Sequence, residues 1–177
     1  MKKRYLGALC AYFLLSISSA NATTINLNAI TDAANSAQSL ALQAGTYTIT
    51  PTTDAYTAYS LHLGRANSWV WAYEYSSSEI GVIQVGRPPI TCGVPGTCFD
   101  NANDAFTAQA EASTFTLTSD STVDFYICDG SDCFSTAGDN VGGLSLELTS
   151  VPIPAALWLF VSGFVGILAL PKRKNAT

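Results

Sequence analysis

Thr114-Phe115-Thr116-Leu117-Thr118-Ser119-Asp120-Ser121-Thr122-Val123-Asp124-Phe125-Tyr126-Ile127-Cys128 is the stretch on which the fold turns. Polar and apolar residues alternate up to Thr118 and alternate again from Thr122. A period of two puts Phe115 and Leu117 on one face of a strand, and Val123 and Phe125 on one face of the next. Ser119-Asp120-Ser121 between them reads as a turn, so the stretch predicts a β-hairpin.

The same pattern extends outward in both directions. Thr24 to Ile30, Ser39 to Thr50, Tyr59 to Leu63, Ser68 to Tyr75, Glu79 to Val85 and Leu144 to Leu148 are short runs rich in Thr, Tyr, Val and Leu. Such residues suit a pleated, half-buried surface, and turn signals separate the runs. The expectation is all-β: an antiparallel β-sandwich, jelly-roll-like, over residues 23–150. Alanine-rich stretches around Ala33 to Ser39 and Ala102 to Ala112 are the candidates for a helical turn. No internal repeat is visible, which argues against a solenoid. The triplets Thr46-Tyr47-Thr48 and Thr48-Ile49-Thr50 follow from β propensity alone.

Charge divides the chain into a cargo and two ends. All thirteen acidic residues lie between 23 and 150, with only Arg65 and Arg87 opposing them, a net −11 there against −5 for the whole chain. Nucleic acid is excluded as a partner for such a surface, and cations or neutral glycans fit better. The other six basic residues flank two apolar segments. Lys2-Lys3-Arg4, an apolar run from Tyr5 to Ile17 and Ala20-Asn21-Ala22 have the order of a signal peptide, 1–22, cut after Ala22. Val151 to Leu170 has no charged residue, and its twenty residues would rise about 30 Å as a helix, a bilayer's hydrocarbon thickness. A membrane-spanning helix is therefore expected at about 155–170. Lys172, Arg173 and Lys174 follow it and place the C-terminus in the cytoplasm.

The tail Val151-Pro152-Ile153-Pro154-Ala155-Ala156-Leu157-Trp158-Leu159-Phe160, completed by Lys172-Arg173-Lys174, resembles the PEP-CTERM sorting segment in its VPLPA-type variant. Val151, Pro152, Pro154 and Ala155 carry the match to the motif, and Ile153 stands where the name-giving motif has an acidic residue. The resemblance covers residues 151–177. It implies export by a Gram-negative bacterium, a single-pass inner-membrane intermediate, and processing near the motif by an exosortase. Release or transfer to the envelope or exopolysaccharide matrix would follow.

Four cysteines remain in the exported part: Cys92, Cys98, Cys128 and Cys133. In an oxidising compartment an even count predicts disulfides. Three pairings are open, and the turn-rich spacers favour the local loops Cys92–Cys98 and Cys128–Cys133. A four-cysteine zinc site is the alternative, and the absence of Cys-x-x-Cys weighs against it.

Two places could hold a ligand. The segment 128–143 gathers Asp129, Asp132, Asp139 and Asn140 among glycines, the oxygen-rich chemistry that calcium needs. Phe125-Tyr126-Ile127-Cys128-Asp129, then Asp139-Asn140 before a last strand, resembles the calcium site of small galactose-binding bacterial lectins. That resemblance implies Asp129, Asp139 and Asn140 as calcium ligands assisting carbohydrate binding; the plain alternative is that they are turn formers. The second place is Trp69-Val70-Trp71-Ala72-Tyr73-Glu74-Tyr75, where alternation sets Trp69, Trp71, Tyr73 and Tyr75 on one face. Exposed, Trp69, Trp71 and Tyr73 would stack on sugar rings; buried, the row would be core, the reading that the thin opposite face favours.

No enzyme is expected. His62 is the sole histidine, and neither a triad nor a histidine-based metal site can be built around it. The function expected is an exported envelope or exopolysaccharide-matrix protein with calcium-assisted carbohydrate binding. The alternative is a purely structural surface or biofilm-matrix protein without a small ligand.

Overall fold

A computed structural model describes residues 22–86, 92, 98–127 and 138–152. Asn21–Val151 make up one compact unit. Its strands are β1 (Ala22–Asn28), β2 (Gln38–Leu42), β3 (Gly45–Thr52), β4 (Tyr59–Ser60), β5 (Trp69–Val70), β6 (Ala72–Ser77), β7 (Gly81–Gly86), β8 (Ser113–Leu117), β9 (Ser121–Tyr126) and β10 (Val141–Ser150). One helix, α1 (Ala102–Gln109), and a 3-10 turn at Ala34–Ser36 complete the unit, both within the alanine-rich stretches. The fold is all-β, with antiparallel pairing throughout the described residues.

Two sheets share one core. The first runs β5-β4-β10-β3-β8, with β1 also on β10; the second runs β2-β9-β6-β7. Residues 145–149 of β10 pair with both β1 and β3, so β10 is the central strand of the first sheet. Its inward residues Leu144, Leu146 and Leu148 join Ile25, Leu27 and Ile49 from that sheet. Tyr73, Tyr75, Val85, Val123 and Phe125 come from the second sheet into the same cluster. Tyr75 crosses the gap: its ring lies 5.2 Å from that of Phe115 and its hydroxyl 3.0 Å from Ser113 Oγ. Each large inward side chain is worth about 1.5–3 kcal/mol of burial, which is why the alternation seen in the sequence selects these faces.

The stretch 114–128 is not a hairpin. β8 pairs with β3 in the first sheet, while β9 pairs with β2 and β6 in the second. Residues 118–120 are an arch that carries the chain between sheets. A tight hairpin favours Asn-Gly or Asp-Gly, which supply backbone with positive φ, and Ser119-Asp120-Ser121 has no glycine. Carboxylates instead meet the arch's free amides. Glu79 accepts from the backbone N–H of Thr118 and of Ser119, and Asp120 Oδ1 accepts from Ala44 N at 2.9 Å. Ala44 lies in the matching arch between β2 and β3, so Asp120 ties the two crossings together.

β3 continues through Pro51 to Thr52, beyond the run ending at Thr50 that the sequence marked out. Pro51 faces Leu146 on β10 and lies beyond the last residue paired with β8. There β3 is an edge, where a proline is tolerated. α1 starts on Asn101, whose Oδ1 accepts from Asp104 N at 3.0 Å, and it buries Ala105. Cys92 and Cys98 form a disulfide, with Cα atoms 5.4 Å apart. The expected Cys128–Cys133 loop, the signal segment before Ala22 and the tail from residue 153 lie outside the described residues. Among the described residues no helix is long and apolar enough to cross a membrane.

Candidate functional site

The aromatic row does not form one platform. The chain changes sheets at Trp71, so Trp69 belongs to β5 in the first sheet while Tyr73 and Tyr75 belong to β6 in the second. Trp71 is 0% exposed and Tyr73 1% exposed, and Tyr75 is buried with them. Trp71 and Tyr73 meet edge to face at 5.5 Å; Tyr75 lies 6.0 Å from Phe125. These rings bury too much apolar area to be left in water, and the sheet crossing closes the core over them. Trp71 and Tyr73 therefore cannot stack on a sugar, and Trp69 is itself partly buried against the core. Burial, then the charges of Tyr75 and Glu111, push the Tyr73 hydroxyl well above the usual phenol range. Neither Tyr73 OH nor Trp71 Nε1 has a hydrogen-bond partner among the described residues.

The acidic segment ends at the mouth of β10. β4 stops at Ser60, and residues 61–68 form a loop rather than the expected strand. Leu63 N donates to Asp139 O at 2.7 Å, and His62 Nδ1 sits 3.1 Å from Asp139 Oδ2. Both side chains are open to solvent among the described residues. Its neighbour Asn140 turns inward, 1% exposed, and donates from Nδ2 to Ala29 O at 3.1 Å. Asp129, the third expected calcium ligand, lies outside the described residues. Among the described residues no three His, Cys, Asp or Glu side chains are grouped to hold a metal.

The outer face of the second sheet carries a polar cluster. Glu74 Oε1 accepts from Gln84 Nε2 at 2.9 Å, and the register sets Tyr126 opposite Glu74 on the other side. One row away, Ser39 donates to Asp124. The Tyr126 hydroxyl is raised by burial first and then by the Glu74 charge, with a hydrogen bond from Ser76 acting against them. Glu74 and Asp124 are thus each engaged by a neighbouring donor.

A broader feature lies on the outer face of the first sheet. The registers align Thr149, Thr48 and Thr114 in one row across β10, β3 and β8, with Thr46 and Thr116 in the next. Thr24, Glu147 and Thr50 make a third row across β1, β10 and β3. Thr46 and Thr116 hydroxyls are 3.0 Å apart, those of Thr48 and Thr114 3.4 Å. Rows step by about 6.8 Å along a strand and columns by about 4.8 Å across strands. The result is a lattice of hydroxyls and methyls with one carboxylate, Glu147. The Thr-x-Thr triplet was visible in the sequence; that four strands align their threonines needed the register.

No protein-family model, no curated protein and no solved structure matches this chain.

Proposed function

We propose that the protein is an exported, non-enzymatic β-sandwich of jelly-roll type that is sorted by an exosortase and holds polysaccharide at the envelope or in the exopolysaccharide matrix. The observation that carries the binding part is the threonine lattice over β1, β10, β3 and β8. Its hydroxyls donate and accept, its methyls offer apolar contact, and it is nearly neutral within a domain of net −11. A neutral glycan can lie on it without meeting the charge that repels polyanions. Calcium assists at the segment end, with the Asp129 and Asp139 carboxylates as its ligands and Asn140, the third residue of the lectin-like set, packed inward.

The sorting part rests on the tail 151–177 and on its match with the basic, apolar leader. The chain is first a single-pass inner-membrane intermediate with a cytoplasmic C-terminus, and exosortase removes that anchor. A structural matrix protein without a small ligand is the second reading, and the uncharged, exposed strand β7 favours it.

The test has two arms. Full-length chain is produced in an exopolysaccharide-forming host with and without its exosortase, and fractions are probed for the ectodomain. Retention in the inner membrane without the enzyme is the expected result; identical fractionation overturns the sorting. The purified chain is then sedimented with the host's polysaccharide, with calcium or with EDTA. Binding that weakens in Thr48→Lys with Thr116→Lys supports the lattice, and binding unchanged by these substitutions overturns it. Binding unchanged by EDTA removes calcium.

A further inference from the structure

β7, Gly81-Val82-Ile83-Gln84-Val85-Gly86, is the last strand of the second sheet and pairs only with β6. Gly86 N donates to Glu111 Oε1, away from β6. In an antiparallel ladder outward and inward residues alternate, so the N–H and C=O of Val82 and Gln84 also point off the sheet. They have no partner among the described residues. Native edges are normally blunted by lysine, proline or a bulge, and Val82 to Val85 has none of these. Val82 is 62% exposed and Ile83 37% exposed. Among the described residues they are the only neighbouring pair of large exposed apolar side chains.

We infer that β7 is a self-association edge, which pairs antiparallel with β7 of a second copy of this chain and joins two four-stranded sheets into one. The occupant follows from charge and symmetry. Two domains of net −11 repel over most of their surface. The segment from Ile80 to Gly86 carries no charge. A two-fold arrangement of this strand sets Ile83 against Ile83 of the other copy. The outward groups fix the register. Val82 must oppose Gln84 of the other copy, exchanging N–H and C=O in both halves, and Ile83 then opposes Ile83 as a non-hydrogen-bonded pair. Glu111 already takes the Gly86 N–H, which ends the new ladder at Val82 and Gln84. Such an interface is isologous and closes at two copies. It goes beyond the polysaccharide reading and does not depend on it.

The test is cysteine mapping on the full-length chain in its exporting host. Opposed Cα atoms in a non-hydrogen-bonded pair lie about 4.5 Å apart, within the roughly 4.4–6.8 Å that a disulfide spans. Ile83→Cys alone is expected to give covalent dimers. Val82→Cys alone and Gln84→Cys alone should not, whereas co-expressed Val82→Cys and Gln84→Cys chains should. Thr116→Cys, exposed on the other sheet, reports random collision. Val82→Pro deletes an N–H that β6 does not use and removes no side-chain hydrogen bond, so loss of the Ile83→Cys dimer with an unchanged melting midpoint supports the ladder. Equal yields at all four positions, no dimer from folded Ile83→Cys chain, or a dimer that survives Val82→Pro each overturn it. If Val82→Pro prevents folding, the register map decides alone.

Discussion

The hydroxyls of Ser60 and Ser68 lie 2.6 Å apart, and both residues are buried. Ser60 Oγ also accepts from Gly64 N at 2.9 Å and from His62 N at 3.2 Å, and Ser68 donates to Arg65 O. One buried hydroxyl pair therefore organises the whole 61–68 loop. Ser60→Ala leaves two loop amides without an acceptor. It should cost about 1–3 kcal/mol in urea unfolding. An unchanged midpoint would mean that the loop rearranges to satisfy those amides at no cost.

Glu79 sets an acid-sensitive contribution. Hydrogen bonds from Thr118, then from Ser119, hold its carboxyl below the usual glutamate range. Its folded value lies below its unfolded one, so its stabilising effect is present above the unfolded value. The effect is lost as pH falls through the folded value. Glu79→Gln should melt earlier than the parent chain at neutral pH. The gap should close toward acid pH, and a gap that widens there would contradict the assignment.

Trp71 and Tyr73 separate packing from polarity. Trp71→Ala should lose about 3–5 kcal/mol, the usual cost of emptying a buried aromatic site. Tyr73→Phe removes a buried hydroxyl that has no hydrogen-bond partner among the described residues. That change should be neutral or stabilising, because it removes a desolvation cost and no bond. Denaturant midpoints for the two variants should therefore move in different directions, or only the first should move.

Gly143 sits where β10 passes between β1 and Tyr56. A Cβ there would lie 2.0 Å from Leu27 O and 2.9 Å from the Tyr56 ring. Gly143→Ala must push β1 away from β10, and a loss of about 1–3 kcal/mol or more is expected. Gly138, by contrast, has nothing near its missing Cβ. A Gly138→Ala chain that melts with the parent, beside an early-melting Gly143→Ala chain, is the expected pattern.

Much of the fold was legible because period-two patterning records which face is buried, and Phe115, Leu117, Val123 and Phe125 all point where the alternation set them. Sheet membership was not legible. Alternation is the same whether consecutive strands pair or arch, so 114–128 read as a hairpin and 68–75 as one strand. The decision lay in long-range partners: Glu79 on Thr118, Asp120 on Ala44, and the crossing at Trp71. The two candidate sites differed for the same reason. The aromatic row was read as core and is buried, but it was read as one strand face, and the crossing at Trp71 divides it between two sheets. The threonine lattice was invisible because neighbours in it come from four separate strands.

The position of β10 has a consequence for the order in which the domain can form. The strand at the centre of the first sheet is the last of the described strands to leave the ribosome. β1 waits for residues 143–149, and β3 waits for 145–150, before either gains that partner. Pairings so distant along the chain form slowly. The first sheet thus lacks its central strand until nearly the whole unit from Asn21 to Val151 has emerged, whereas the second is complete at Tyr126. A chain built this way carries β1 and β3 without their shared partner through most of its synthesis and completes the first sheet in one late step.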